Sequence, residues 1–260
     1  MEFYRWIIMA VLVFILGACL GSFYLVVGKR LPINENAIND RSKCDRCSHI
    51  LSWWQLIPIF SYVFLRGKCH YCHKKINPLH FIMEIVTGGA FIFAYLYYGI
   101  SYEMFIFLIV ISITLIIFVS DFSYYIILDS PLVIGSILIF ITRWYYYGFS
   151  ESLLYILSGL VLFATMYLIK LLGDVMFKRE SLGGGDIKFA FVMGVVLGFR
   201  LGLCALILST FLALPYSCAA LMLKKNNEVP YGPFLASSLF IVFLFSEKFI
   251  SLLNLIFINL

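Results

Sequence analysis

The sequence predicts an all-α integral membrane protein of about eight transmembrane helices, with a cytoplasmic zinc-binding loop domain between the first helix and the second. Three observations carry that prediction. Hydrophobic residues fill 63% of the 260 positions and charged residues 13%, with a mean hydropathy of +0.99, far outside the range of a soluble domain. Eight apolar stretches approach the roughly 20 residues that a helix needs to cross a bilayer, the sixth being the shortest. Four of the seven cysteines gather in one polar loop as two Cys-x-x-Cys pairs.

The first apolar stretch covers residues 6–27. Leu16-Gly17-Ala18-Cys19 has the look of a lipoprotein cleavage site, but the strongly basic flank follows the stretch instead of preceding it, so a retained first helix is expected. Residues 28–80 carry Lys29, Arg30, Arg41, Lys43, Arg46, Arg66, Lys68, Lys74 and Lys75 against Glu35, Asp40 and Asp45. The positive-inside rule puts this loop in the cytoplasm and the N-terminus outside. The net charge of +5 mostly reflects this loop; it suits an anionic leaflet, and nothing further supports nucleic-acid binding.

The remaining stretches are 81–99, 102–120, 131–147, 152–173, 187–199, 202–223 and 233–256. Alternation through eight spans keeps Lys178-Arg179 and Lys224-Lys225 on the cytoplasmic side and leaves single basic residues, Arg143 and Arg200, outside. Trp144, Tyr145, Tyr146 and Tyr147 suit an interfacial aromatic belt. Asp129 or Ser130 is expected to cap the fourth segment, with Pro131 in its first turn. Gly194, Gly198 and Gly202, four apart, form a small-residue stripe if one helix runs through them. The domain reading is a first helix at 1–27, a four-cysteine zinc-binding loop at 28–80 and a seven-helix core at 81–260.

Cys44-x2-Cys47 and Cys69-x2-Cys72 have the spacing of a four-thiolate zinc site, in which two tight knuckles supply a tetrahedron. A reducing cytoplasm disfavours disulfides. His49, His70 and His73 lie beside the cysteines as possible substitutes, with the thiolates preferred. A closed site of this kind is structural. Cys19, Cys204 and Cys218 fall in apolar stretches, where cysteine packs.

Carboxylates at membrane depth are expensive and default to function. Asp121 closes the stretch 102–120, and Asp186 opens the stretch 187–199 just after Gly183-Gly184-Gly185. Each taken singly reads as a helix-end residue. Together they form a pair at one face, with glycines that let another backbone approach or turn. Two carboxylates sharing a proton divide acid and base work, as in aspartic proteases. The helix ends assign the base to Asp186, at a helix N-terminus, and the acid to Asp121, at a C-terminus. Lys188 either neutralises charge near Asp186 or snorkels to the interface.

Gly183-Gly184-Gly185-Asp186-Ile187-Lys188 resembles the GxGD signature of the prepilin peptidases, or type IV leader peptidases, which are polytopic aspartic proteases. The resemblance runs from about residue 17 to residue 236. Gly21-Ser22-Phe23, Arg30-Leu31-Pro32, the Cys-x-x-Cys pairs, Ile57 to Tyr62, Arg66-Gly67-Lys68-Cys69, Glu84, Asp121 and Tyr231-Gly232-Pro233-Phe234-Leu235 fall in family order. It implies cleavage, at the cytoplasmic face of a bacterial inner membrane, of the short basic leader of prepilins and pseudopilins, with Asp121 and Asp186 catalytic. Gly183, Gly184, Gly185, Lys188, Gly232 and Pro233 become active-site support, and Glu84 either meets the basic leader or snorkels. Many members also N-methylate the new N-terminus with S-adenosylmethionine, an activity associated with the region of the four cysteines. Such enzymes serve type IV pili, type II secretion or competence.

The sequence departs from that family at Ile127-Leu128-Asp129, where Ile-Pro-Asp is usual, at Tyr24-Leu25 in place of Leu-Asn, and in lacking a proline before Cys44. Two rival functions use the same features. A transporter or channel would take Asp121 and Asp186 as an ion or proton site, but no internal repeat accompanies them. A zinc-anchored scaffold would use the loop alone. A metalloprotease is disfavoured, because four thiolates leave zinc no open position and no His-Glu-x-x-His occurs.

Overall fold

The computed structural model describes residues 2–37, 41–178, 180–222 and 230–258. Asp40, Arg179, Lys224 and Lys225 lie outside the described residues. The described chain is helical: α1 (Glu2–Arg30), α2 (Phe60–Phe64), α3 (Pro78–Tyr98), α4 (Tyr102–Tyr124), α5 (Asp129–Tyr147), α6 (Phe149–Phe177), α7 (Gly184–Met222), α8 (Gly232–Leu244) and α9 (Ser246–Ile258). Among the described residues, strand-like pairing is confined to two isolated bridges, Lys43–Ile50 and Lys68–Lys75. Five helices are long and apolar enough to cross a membrane. They are Tyr4–Ile33, Pro78–Tyr98, Tyr102–Tyr124, Phe149–Phe177 and Gly184–Ala220; the bent pair α8 and α9 makes a sixth when taken as one.

The chain divides into two compact units, Met1–Ile116 and Ile117–Leu260. In the first, α1 lies along α3 so closely that a Cβ on Gly17 would stand 2.9 Å from the Gly88 Cα. Asn77 starts α3 by accepting the Leu79 N–H at 3.0 Å, with Pro78 in the first turn. Gly99, at φ 65°, ends it. The loop between α1 and α3 is built almost without a core. Of its described residues from 31 to 77 only Gln55 and Cys69 are buried. Ser52 and Gln55 close a capping box over the 3-10 turn Trp53–Leu56.

In the second unit, α7 contains a break. A straight helix of 39 residues would be about 58 Å long, nearly twice the apolar core it has to cross. Gly198 adopts φ 76° and ψ 176°, a conformation open to glycine alone. The chain then folds back, since a Cβ on Gly202 would stand 3.6 Å from the Gly194 Cα. The three glycines therefore do not form a stripe on one continuous helix: Gly198 turns the chain, and Gly194 and Gly202 let the two halves meet. Arg143 is buried on α5; its Nη2 donates to the Val196 carbonyl at 3.1 Å, next to the break, and its guanidinium lies over the Tyr155 ring.

Gly194 also abuts α6. A Cβ there would meet the Gly159 Cα at 2.5 Å and its N at 2.6 Å, both backbone atoms that cannot rotate away. Gly194→Ala is expected to destabilise this unit by about 1–3 kcal/mol through overpacking. Thermal unfolding of the detergent-solubilised protein measures it, and an unchanged midpoint would mean that α6 and α7 are not in this register.

Candidate active site and metal centre

The two cysteine pairs are built alike. In the first, the Cys44 N–H donates to the His49 carbonyl at 3.0 Å and the Ser48 N–H to the Cys44 carbonyl at 2.9 Å; in the second, Cys69 and Lys74, and His73 and Cys69, repeat these bonds at 2.9 and 3.0 Å. Ser48 and His73 occupy equivalent left-handed positions, both at φ 56°. Each pair is thus one knuckle, closed behind by its own bridge. The four sulfurs lie within 4.8 Å of one another, with Cys44 and Cys72 at 4.0 Å. All four cysteines are free, and 4.0 Å is about twice a disulfide bond. The cluster can hold a metal and is consistent with zinc, whose roughly 2.3 Å bonds to sulfur place tetrahedral ligands about 3.8 Å apart. Two of the neighbouring histidines, His49 and His70, pack on aromatic rings. The His49 and Tyr71 ring centroids are 3.6 Å apart, and His70 meets Trp54 and Tyr71 edge-on.

Asp121 and Asp186 are both buried, at 4% and 9% exposure, and apart from Glu84 every other acid whose side chain is described is at least partly open. Asp121 lies in the last turn of α4, which ends when Tyr125, at φ 56°, donates its N–H to the Asp121 carbonyl. The Asp121 Oδ2 accepts the Gly232 N–H at 2.9 Å, one of the free donors at the start of α8. Asp186 is the third residue of α7, and its carboxylate reaches back to the Gly183 N–H. Gly185, the residue before Asp186, and Gly232, on Asp121 Oδ2, both pack on the Ile127 side chain, which brings the two carboxylates to one site.

Ile127 holds the arrangement together. A Cβ on Gly185 would stand 2.7 Å from the Ile127 Cβ, and one on Gly232 would stand 3.0 Å from Cδ1 of the same side chain and 2.9 Å from Asp121 Oδ2. The side chain of Ile127 is thus wedged between Gly232, the partner of Asp121, and Gly185, the residue before Asp186. None of Gly183, Gly184 and Gly185 is in a left-handed conformation, so Gly183 and Gly185 serve close approach and not a turn. Gly184 has open space around it. Gly185→Ala is therefore expected to cut activity at least tenfold while Gly184→Ala stays within about twofold, since displaced catalytic groups lose rate steeply. Equal losses in an initial-rate assay of both variants would contradict this packing.

Several residues take places that sequence reasoning does not assign. The helix-end division of labour disappears, because Asp121 also faces a helix N-terminus, that of α8. Asp129 is not a cap: α5 is preceded by Leu128 with no side-chain cap, and Asp129 pairs with Lys188 at 2.7 and 2.8 Å on an exposed surface. Lys188 is thereby committed to Asp129. Pro233 stands in the first turn of α8. Tyr231, just before that turn, bonds Ser209 at 2.6 Å and lies within the field of Asp186; burial raises its phenol above the ordinary range, keeping it protonated. Glu84 is buried and turned toward the chain itself, accepting the Ile59 N–H at 2.7 Å and a bond from Ser22.

The Bacterial Peptidase A24 N-terminal domain matches residues 15–98, and the Type IV leader peptidase family matches residues 108–218. A prepilin leader peptidase/N-methyltransferase of Bacillus subtilis is 31% identical over 92% of this chain and 96% of its own length. The chain belongs to the type IV leader peptidase family. A relative of the same name from Vibrio cholerae is 27% identical over 88% of this chain and 94% of its own. No solved structure matches. Membership in this family, with at least five helices able to span, makes the chain a multi-pass inner-membrane protein. It also displaces the transporter and scaffold readings.

Proposed function

We propose that the chain is a prepilin leader peptidase and N-methyltransferase whose peptide bond hydrolysis is run by Asp121 and Asp186. The observation that carries this reading is the burial of these two carboxylates around one side chain, Ile127, each against a backbone N–H at the start of a helix, in a chain of this family. One carboxylate, ionised, takes a proton from a water as the water oxygen attacks the scissile carbonyl. The other, protonated, gives its proton to the carbonyl oxygen and, as the C–N bond breaks, a proton passes to the leaving amine. The pair titrates as a unit, so either carboxylate can start as base. Gly185 and Gly232, packed on Ile127, hold the separation of the two.

We read the architecture as eight spans, with α5 as the fourth, the two halves of α7 as the sixth and seventh, and α8 with α9 as the eighth. The break at Gly198 and the return of Gly202 onto Gly194 support that count, and the basic loop supports an active site facing the cytoplasm. An apolar cleft of about 830 Å³, lined by Leu132, Phe140, Leu160, Phe163 and Phe191 together with Asp129 and Lys188, suits lateral access by the apolar helix of a prepilin or pseudopilin.

Zinc held by Cys44, Cys47, Cys69 and Cys72 is structural in this reading, since four thiolates fill its tetrahedron. S-adenosylmethionine would supply the methyl group for the second activity. In the loop the rings of Trp54, His70, Tyr71 and His49 pack on one another and Glu84 is engaged by Ile59 and Ser22, so these groups do not offer it a cradle. Co-expression with a prepilin, followed by electrophoresis, tests the assignment: the shorter, leaderless form is expected with this chain, and its absence would overturn the function proposed.

A further inference from the structure

The loop between α1 and α3 carries a strained turn. Ile59, a β-branched residue, sits at φ 65° and ψ −54°, and the Phe60 N–H closes a three-residue turn onto the Pro58 carbonyl at 2.6 Å. This is the rare, unfavourable hand of the γ-turn, which persists only where its surroundings hold it. The holder is Glu84, through the 2.7 Å bond to the Ile59 N–H. The turn launches α2, and α2 is pinned on one side by Tyr62, whose ring stacks on Phe81 at 4.8 Å.

That pinning decides what the other side of α2 faces. Phe60, Val63 and Phe64, at i, i+3 and i+4, form one stripe that is 73%, 60% and 82% exposed, and Trp53 on the neighbouring turn is 78% exposed. In water, so many adjacent large apolar side chains are costly. The two contacts that fix α2, with Phe81 and Glu84, are in the first two turns of α3, where this candidate span begins. The stripe therefore sits at the depth where α3 enters the bilayer. Arg66, Lys68, Lys74 and Lys75 lie in the same loop, and the Lys68–Lys75 bridge sets two of them side by side. Aromatic residues at headgroup depth beside a basic cluster match the chemistry of an anionic leaflet surface.

We propose that Phe60, Val63 and Phe64, together with Trp53, are a lipid-docking surface that seats the cysteine loop on an anionic phospholipid leaflet, with Glu84 as the clasp that holds the stripe in place. The bilayer then covers what the protein leaves open. The loop gains a fixed height and orientation that its two knuckles and absent core do not supply.

Tryptophan fluorescence of the full chain in vesicles tests this. One protein keeps Trp53 alone, with Trp6, Trp54 and Trp144 changed to Phe; a second carries Phe64→Trp and has all four native tryptophans changed to Phe. Both are placed in vesicles of phosphatidylcholine with brominated acyl chains, with and without unbrominated phosphatidylglycerol, at one bromine density. The expected result is emission quenched by the brominated lipid, protected from acrylamide in the water, and less quenched when phosphatidylglycerol is left out. Quenching by acrylamide with indifference to bromine would overturn the proposal, as would equal quenching without the anionic lipid. Protection from both quenchers, relieved on diluting the protein with lipid, would mean that a second copy covers the stripe and would overturn it too. The Trp53 protein introduces no new side chain into the stripe, so it reads the native surface if the Phe64 variant misfolds.

Discussion

Asp121→Asn and Asp186→Asn are each expected to lower prepilin cleavage by about 10²–10⁴-fold, the scale of a lost acid–base group, and the double variant is expected to lose little more than either single one. Non-additivity is the sharper part. If the carboxylates act as a unit on one water, removing the first already removes the chemistry and the second has nothing left to contribute. If instead they served two separate steps, the losses would multiply. Folding is not expected to suffer, because asparagine keeps an oxygen that can accept the Gly232 N–H at position 121 and the Gly183 N–H at position 186. Initial rates with the three variants, beside their thermal midpoints in detergent, check both statements.

Cys69→Ser is expected to abolish metal binding and unfold the loop between α1 and α3. Cys69 is 3% exposed and is, with Gln55, one of two buried residues among those described from 31 to 77, so the loop has no apolar core to fall back on. Structural zinc in comparable four-ligand sites contributes on the order of 10 kcal/mol to folding, far more than two short hydrogen-bonded knuckles can replace. Metal analysis should find one zinc per wild-type chain and none in the variant, and limited proteolysis should cut the variant within the loop while sparing the helices. A variant that loses metal yet resists protease would show that the loop is held by something other than its four thiolates.

How far these features are legible in the sequence depends on the range of the interaction. Among the described residues, each of the eight apolar stretches falls almost wholly on helix, because length and hydropathy are local properties that a bilayer reads directly. The stretch 233–256 is one run in sequence but is bent by 82° between α8 and α9, at Phe245, where Ser246, Glu247 and Lys248 interrupt the apolar pattern. The cysteine spacing is equally legible, since a knuckle is made by neighbours in the chain. Asp121 and Asp186 stand out as chemistry because each is a charge in an apolar setting.

Their partners cannot be read in the same way. Gly232 is 111 positions from Asp121, and nothing in Tyr231-Gly232-Pro233 says which carboxylate its N–H will meet. Ile127 looks like an ordinary linker residue in sequence; its place between Gly185 and Gly232 is a tertiary fact. Local pattern makes Asp129 a cap, but it goes instead to Lys188, 59 positions away, because an ion pair across two helix starts competes with the cap. Arg143 is a lone basic residue in sequence, and nothing near it announces the Val196 carbonyl that it meets, 53 positions away beside the break at Gly198.

The most direct measurement is a mass spectrum of the N-terminus of a prepilin with glycine before phenylalanine, recovered from membranes carrying either the wild-type chain or Asp186→Asn. The account predicts a product beginning at phenylalanine, heavier by one methyl group, from the wild type, and the intact leader from the variant. A leaderless product from both would contradict it, and the peptide bond would have to be cut without the Asp121–Asp186 pair.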